Sequence, residues 1–467
     1  MRRSPWFPVV LVLVLVFIGF FTPESVIGKQ NEGLEYKKTS TMNSSKDKPQ
    51  IYIIPTNDPE KADQVIKQLE KGKMPEELGL ISGQKHVPKE QTLKQMASEA
   101  AKSKKTFPVE MDSVETAEEG TAWAPPPFEY DNIQFEECMD RENMDGWWFK
   151  NKYASCWSNY IVYSDPAGCG PSWFPFGCDW VSFRLTVLAH GYNGLRTVDY
   201  SYKVDDIDMD LDSQGWIGSK VSISMQCDGI SEYRDCLGDE SPDKRTLAQW
   251  RSHGEGYTIF ESDPPPVTAG NKDQVSFMDL WPRVTIDPPG KKLPPLTSDG
   301  RKQKVRMDSA DYMFVFQPFF WPKEGSVFAE ATPVFYYKMN DPYFSIMKEA
   351  FQHHKDALKS PGSLFPGIEG RPPLTRLYSK YDPERYDANR RAKDKACAKI
   401  EKPGEGYECD EFPFRSTYEG GATGEAGKFS VRYIPTAANN SHGRLLAAWY
   451  AYNRILHKDE FYIGFKE

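Results

Sequence analysis

Eight cysteines constrain this chain more than anything else in it: Cys138, Cys156, Cys169, Cys178, Cys227, Cys236, Cys397 and Cys409. An even number with no Cys-x-x-Cys pair argues for disulfides over metal thiolates, and disulfides belong to oxidising compartments. The spacing predicts two local clips, Cys227–Cys236 and Cys397–Cys409. The other four cysteines leave three pairings open.

The N-terminus agrees with export. Arg2 and Arg3 precede an apolar run from Val9 to Phe21, and polar sequence follows from Lys29. That order is a signal peptide's, and the run falls short of the ~20 residues a membrane span needs. Residues 1–28 are expected as a leader cut near Gly28, with an uncleaved anchor as the competing reading. The mature protein is expected outside the cell, free or held at its surface.

A chain of 467 residues has room for two or three domains. Residues 29–127 read as a spacer with some mixed structure: a strand over Gln50 to Pro55, helices over Asp58 to Lys73 and Lys89 to Lys104, then a Pro-rich linker. From residue 128 to 342 the apolar period changes to two. Val181 to Leu188, Thr197 to Val204 and Val221 to Met225 alternate, which predicts a disulfide-bearing, sandwich-like β domain. Trp147, Trp148, Trp157, Trp173 and Trp180 crowd its start, serving either as core or as a face for cell-wall glycan. Residues 343–373 read as a second linker with one short helix (Tyr343 to Leu358), and residues 374–467 as a small α+β domain. The expected fold class is therefore α+β and multi-domain.

Asp206, Asp208 and Asp210 imitate the start of a calcium loop. Leu211 stands where the turn glycine belongs and Ile217 where the bidentate Glu belongs, which excludes an EF-hand. A strand with one acidic face explains the alternation more simply than a non-standard calcium site.

Chemistry gathers near the C-terminus. Cys409-Asp410-Glu411-Phe412-Pro413-Phe414-Arg415-Ser416-Thr417-Tyr418-Glu419-Gly420-Gly421 places three carboxylates around a Pro turn, and Asn439-Asn440-Ser441-His442-Gly443 follows. Carboxylate, amide and imidazole are the groups a hard divalent ion and an activated water require. A helix is expected over Pro383 to Ala396, a strand over Phe429 to Ile434, a helix capped by Ser441 and a last strand over Phe461 to Phe465. The net charge of −9 speaks against a polyanion partner, yet residues 371–467 hold seventeen Lys and Arg against fourteen Asp and Glu. The surplus is small but of the right sign.

These residues, with Asn389-Arg390 and Asn453-Arg454, closely resemble the NucA/NucB-type secreted deoxyribonucleases. Two positions depart: Asn440 stands where the family often has Arg, and Arg415 where many members have Ala. The resemblance implies a non-specific, metal-dependent endonuclease acting on DNA, with RNA as the alternative polymer. It makes Asp410 the general base, with Glu411 beside it. Mg²⁺ or Mn²⁺ would be held by Asn439 and a carboxylate, Glu419 first and Glu411 second. His442 would assist the leaving group, and Arg415, Arg432 and Arg444 would hold phosphates. Two other functions compete: a wall- or glycan-binding surface protein with a degenerate nuclease module, and a nuclease toxin.

Overall fold

Alternating β-branched and aromatic residues build two facing antiparallel sheets in a computed structural model. The structure describes residues 48–71, 73, 75–86, 92–102, 107–110, 131–141, 146–165, 179–209, 214–229, 234–290, 293–313, 323–425 and 427–467. Among them, eight strands form the first sheet. Its long central members are Ala154–Asp165, Asp179–Gly191 and Thr197–Met209, with Gln50–Ile54 on one side and Glu255–Glu261 on the other. Six form the second, around Lys220–Asp228, Ser276–Asp287 and Gln303–Ser309. Phe183, Leu185 and Val187 of the first sheet share one apolar core with Ile223, Met278 and Val305 of the second. Burying such side chains between sheets stabilises each by about 1.5–3 kcal/mol. The architecture is the expected one: an α+β chain with a β-rich region followed by a smaller α+β module.

The strand at 50–54, expected in a spacer, pairs with Ala154–Asp165 from Gln50↔Ser164 to Ile54↔Tyr160 and so completes the first sheet. Helix Pro59–Glu70 starts where the sequence placed it, with Asp58 Oδ1 accepting from the Glu60 amide at 2.9 Å. The expected helix at 89–104 is Leu93–Lys102. Cys138–Cys156, Cys227–Cys236 and Cys397–Cys409 are disulfides; Cys169 and Cys178 lie outside the described residues, as do the leader and the Pro-rich linker.

Two side readings are weighed by the described residues. Trp147, Trp157 and Trp180 are buried in the cores of the β region and Trp148 is half-buried under Arg141 at 4.1 Å, which favours packing over a glycan face for these four; Trp173 lies outside the described residues. Asp206, which accepts from the Tyr160 hydroxyl, and Asp208 lie in strand Thr197–Met209, as the acidic-strand reading expects, and Asp210 lies outside the described residues. No helix among the described residues is long and apolar enough to cross a membrane.

The C-terminal module is welded to the sandwich. Strand Glu460–Lys466 runs parallel to Ala331–Lys338, from Val334↔Tyr462 to Lys338↔Lys466. Arg454, wholly buried, forms an ion pair with Asp308 and donates to Asn193 Oδ1 at 2.8 Å. Arg306 donates to the Arg454 carbonyl at 2.7 Å and to Asp459 at 2.5 Å. Residues 46–467 make a single compact unit.

Candidate active site

Strand Tyr407–Phe412 pairs antiparallel with Ser430–Pro435, setting Asp410 opposite Arg432. The period-two alternation buries Asp410 and Phe412 while Cys409 and Glu411, on the other face, are half-buried. The Cys397–Cys409 disulfide fastens helix Pro383–Cys397 to this strand one residue before Asp410. Asn389, on that helix, staples the turn that follows. Its Nδ2 donates to the carbonyls of Arg415 (3.0 Å) and Thr417 (2.9 Å), and its Oδ1 accepts from the Ala422 amide. A Cβ on Gly420 would lie 2.5 Å from that amide group, so the first glycine of the pair is demanded by close approach.

Behind Asp410 stands helix Lys348–Lys359. Its buried Ala350, Phe351, Ala357 and Leu358 dock it, and on the same buried side it carries His353 and His354. His353 Nδ1 lies 2.8 Å and His354 Nε2 2.9 Å from Asp410 Oδ2. The far nitrogens are also engaged. His353 Nε2 meets Ser430 Oγ at 2.9 Å, and His354 Nδ1 meets the Tyr337 hydroxyl at 2.9 Å. Tyr337 reaches on to His442 Nε2 at 3.0 Å.

Burial alone would raise the Asp410 carboxyl, but the two imidazoles outweigh it and hold the group well below the carboxylate range. Burial keeps His353 below its ordinary value and drops His442 to about 3, so both rings are neutral at pH 7. Burial lifts Glu411 to about 7, with Lys393 Nζ at 3.7 Å opposing it.

A cleft of about 740 Å³ opens over Asp410 and is lined by Glu411, Asn439, His442, Arg415 and Arg444. Most of the expected site residues thus converge. Asn439 sits at its edge, donating to Glu408 at 2.9 Å. Arg415 stacks on Tyr386 at 4.0 Å, and Arg444 is exposed.

Three placements differ from expectation. Glu419 lines a separate pocket with Leu364 and Arg371, and its Oε2 accepts from the Thr375 amide at 2.8 Å. The loop after Pro413 pairs with the chain at Thr375 and Arg376 and carries Glu419 away from Asn439. Arg432 is tied to Asp356 at 2.8 Å and does not line the cleft. Ser441 caps nothing: the helix starts five residues earlier, as Thr436–Tyr452, so Ser441 and His442 lie buried within it. His442 lines the cleft, and its Nε2 meets the Tyr337 hydroxyl at 3.0 Å.

His353 and His354 were not legible as site residues because residues 343–373 read as a linker, and Tyr337 was not because it fell in the stretch read as the β domain. The available signal was two adjacent histidines, of seven in the chain, on an amphipathic stretch. Their nitrogens and the Asp410 carboxylate lie within 4.8 Å of one another, a donor set fit for a divalent ion.

No curated protein and no solved structure matches this chain. Residues 372–464 match the family model Deoxyribonuclease NucA/NucB. The cleft over Asp410 therefore lies within the segment of this chain that is similar to the NucA/NucB deoxyribonucleases.

Proposed function

We propose that the chain is an exported, divalent-metal-dependent endonuclease that hydrolyses phosphodiester bonds of extracellular DNA without sequence preference. One observation carries this reading: a buried anionic carboxylate, Asp410, at the floor of a cleft edged by Arg415, Arg444 and Lys393. A polyanionic backbone calls for such cations, and contacts to phosphate carry no sequence information. The family match supports DNA as the polymer, and the disulfides support an oxidising compartment.

The residues divide the work by position. Asp410, anchored through Oδ2 by two imidazoles, serves as a fixed anion rather than as the proton acceptor the resemblance implied. Glu411 faces the same cleft and is the carboxylate placed to take a proton from the attacking water. Arg415 and Arg444 hold the flanking phosphates, and Asn439 orients the scissile one. A divalent ion held by His353, His354 and Asp410 would supply Lewis-acid polarisation of a phosphate oxygen.

Supercoiled plasmid should be degraded by the purified chain with a divalent metal and remain intact with EDTA. Asp410→Ala should lower the rate on the order of 10³-fold with an unchanged circular dichroism spectrum. Undiminished cleavage by that variant, or intact plasmid under every metal, overturns the proposal.

A further inference from the structure

The helix Lys348–Lys359 lies outside the segment that matches the nuclease family, yet it presses two imidazoles onto the one carboxylate at the cleft floor. Resting on the nuclease reading above, we infer that this helix completes a three-ligand centre, His353 Nδ1, His354 Nε2 and Asp410 Oδ2, that takes a first-row transition ion such as Zn²⁺ or Co²⁺ in preference to Mg²⁺.

The geometry fits. Ligands on one ion at about 2.0–2.2 Å sit about 3.3 Å apart. The two nitrogens lie 2.8 and 2.9 Å from Asp410 Oδ2 and the donor atoms span up to 4.8 Å, so on taking up one ion the carboxylate withdraws by about half an ångström and the two rings close by about 1.5 Å. Asp410 is the member that lines the cleft, which gives an ion its entry and keeps its open side toward substrate. Both imidazoles also have the outer partners a ligand histidine needs. His353 Nε2–H can donate to Ser430 Oγ, and His354 Nδ1–H to Tyr337. Tyr337 then donates to His442 Nε2, and each ion-facing nitrogen, a donor to Asp410 in the metal-free chain, would offer its lone pair once an ion is bound. His442, so placed, is a positioning residue two hydrogen bonds from the centre.

The donor types select the ion. Mg²⁺ demands oxygen and retains its water, whereas imidazole suits Zn²⁺, Co²⁺, Ni²⁺ and Fe²⁺. The oxygen set that would have suited Mg²⁺, Asn439 with Glu419, is not assembled, because Glu419 is held by Thr375 in another pocket.

The test measures the ion itself, without DNA. Metal-free full chain titrated with Co²⁺, followed by visible absorption, should bind one equivalent. His353→Ala and His354→Ala should each weaken binding more than 100-fold, while Glu419→Gln should match the wild type. Independently of any variant, Zn²⁺ should raise the thermal midpoint of the wild type, and EDTA should reverse the rise. Absence of saturable Co²⁺ binding, of the Zn²⁺-dependent rise, or of any effect from the folded histidine variants overturns the assignment. So does equal competition by Mg²⁺ at the same concentration. Plasmid cleavage by a chain that binds no Co²⁺ would overturn this centre and leave the nuclease standing. Stoichiometric Co²⁺ without cleavage would do the reverse.

Discussion

His457 uses both of its ring nitrogens: Nδ1 accepts from the Tyr378 amide at 3.1 Å, and Nε2 meets the Tyr418 hydroxyl at 3.2 Å. Protonating Nδ1 would cancel the first bond. Burial, then the neighbouring Lys458, holds the ring below its ordinary value of 6.5. The sign follows: below 6.5 the unfolded chain binds the proton more readily than the folded one, so stability falls as the pH falls. Thermal melts from about pH 7.5 to 5 should show a wild-type midpoint that declines more steeply than that of His457→Gln. Parallel curves would deny His457 this role. At this scale the sequence was most legible where chemistry was local. Asp410 and Glu411 stood out inside one motif, and both line the cleft. His353 is 57 residues from Asp410, and no spacing rule relates them.

Among the elements, one helix with strong signals at its start was placed within a residue, while those expected over Asp58 to Lys73 and Lys89 to Lys104 run shorter, as Pro59–Glu70 and Leu93–Lys102. Pro383–Cys397 begins at its proline with Asp382 capping it, the Oδ1 accepting from the Arg385 amide at 3.0 Å. The helix Thr436–Tyr452 was misjudged at its start, because Ser441 offers an N-cap signal that tertiary burial overrides. The Cys397–Cys409 clip was legible from spacing alone, and its structural task is to hold a helix against the strand that carries Asp410. Closing so short a loop restricts mainly the unfolded chain, by about 3 kcal/mol. Replacing both cysteines by serine should therefore lower the unfolding free energy by about that much in urea. A loss below about 1 kcal/mol would mean that Asn389 and the strand pairing hold the helix unaided.

The whole molecule answers a question its parts do not: where the C-terminal module begins. The family match starts at residue 372, but the cleft floor uses His353 and His354 from before it. The core strand Glu460–Lys466 takes its parallel partner from residues 331–338. Arg454 finds its counter-charge at Asp308 in the sandwich, and Asp459 its cation at Arg306. A fragment of residues 372–467 would lose the strand, the helix and both counter-charges together. Leaving one partner of a buried ion pair costs about 3–5 kcal/mol, a large share of the 5–15 kcal/mol that holds a domain folded. That fragment should give no cooperative melt and no metal-dependent cleavage, whereas a chain of residues 48–467 should give both. Arg454→Met in the longer chain should lower its stability by about 3–5 kcal/mol, because Asp308 remains buried without its cation. Should the short fragment melt cooperatively and cut plasmid as the long one does, the helix at 348–359 would be dispensable scaffold. The nuclease would then be an autonomous domain that the sandwich merely carries.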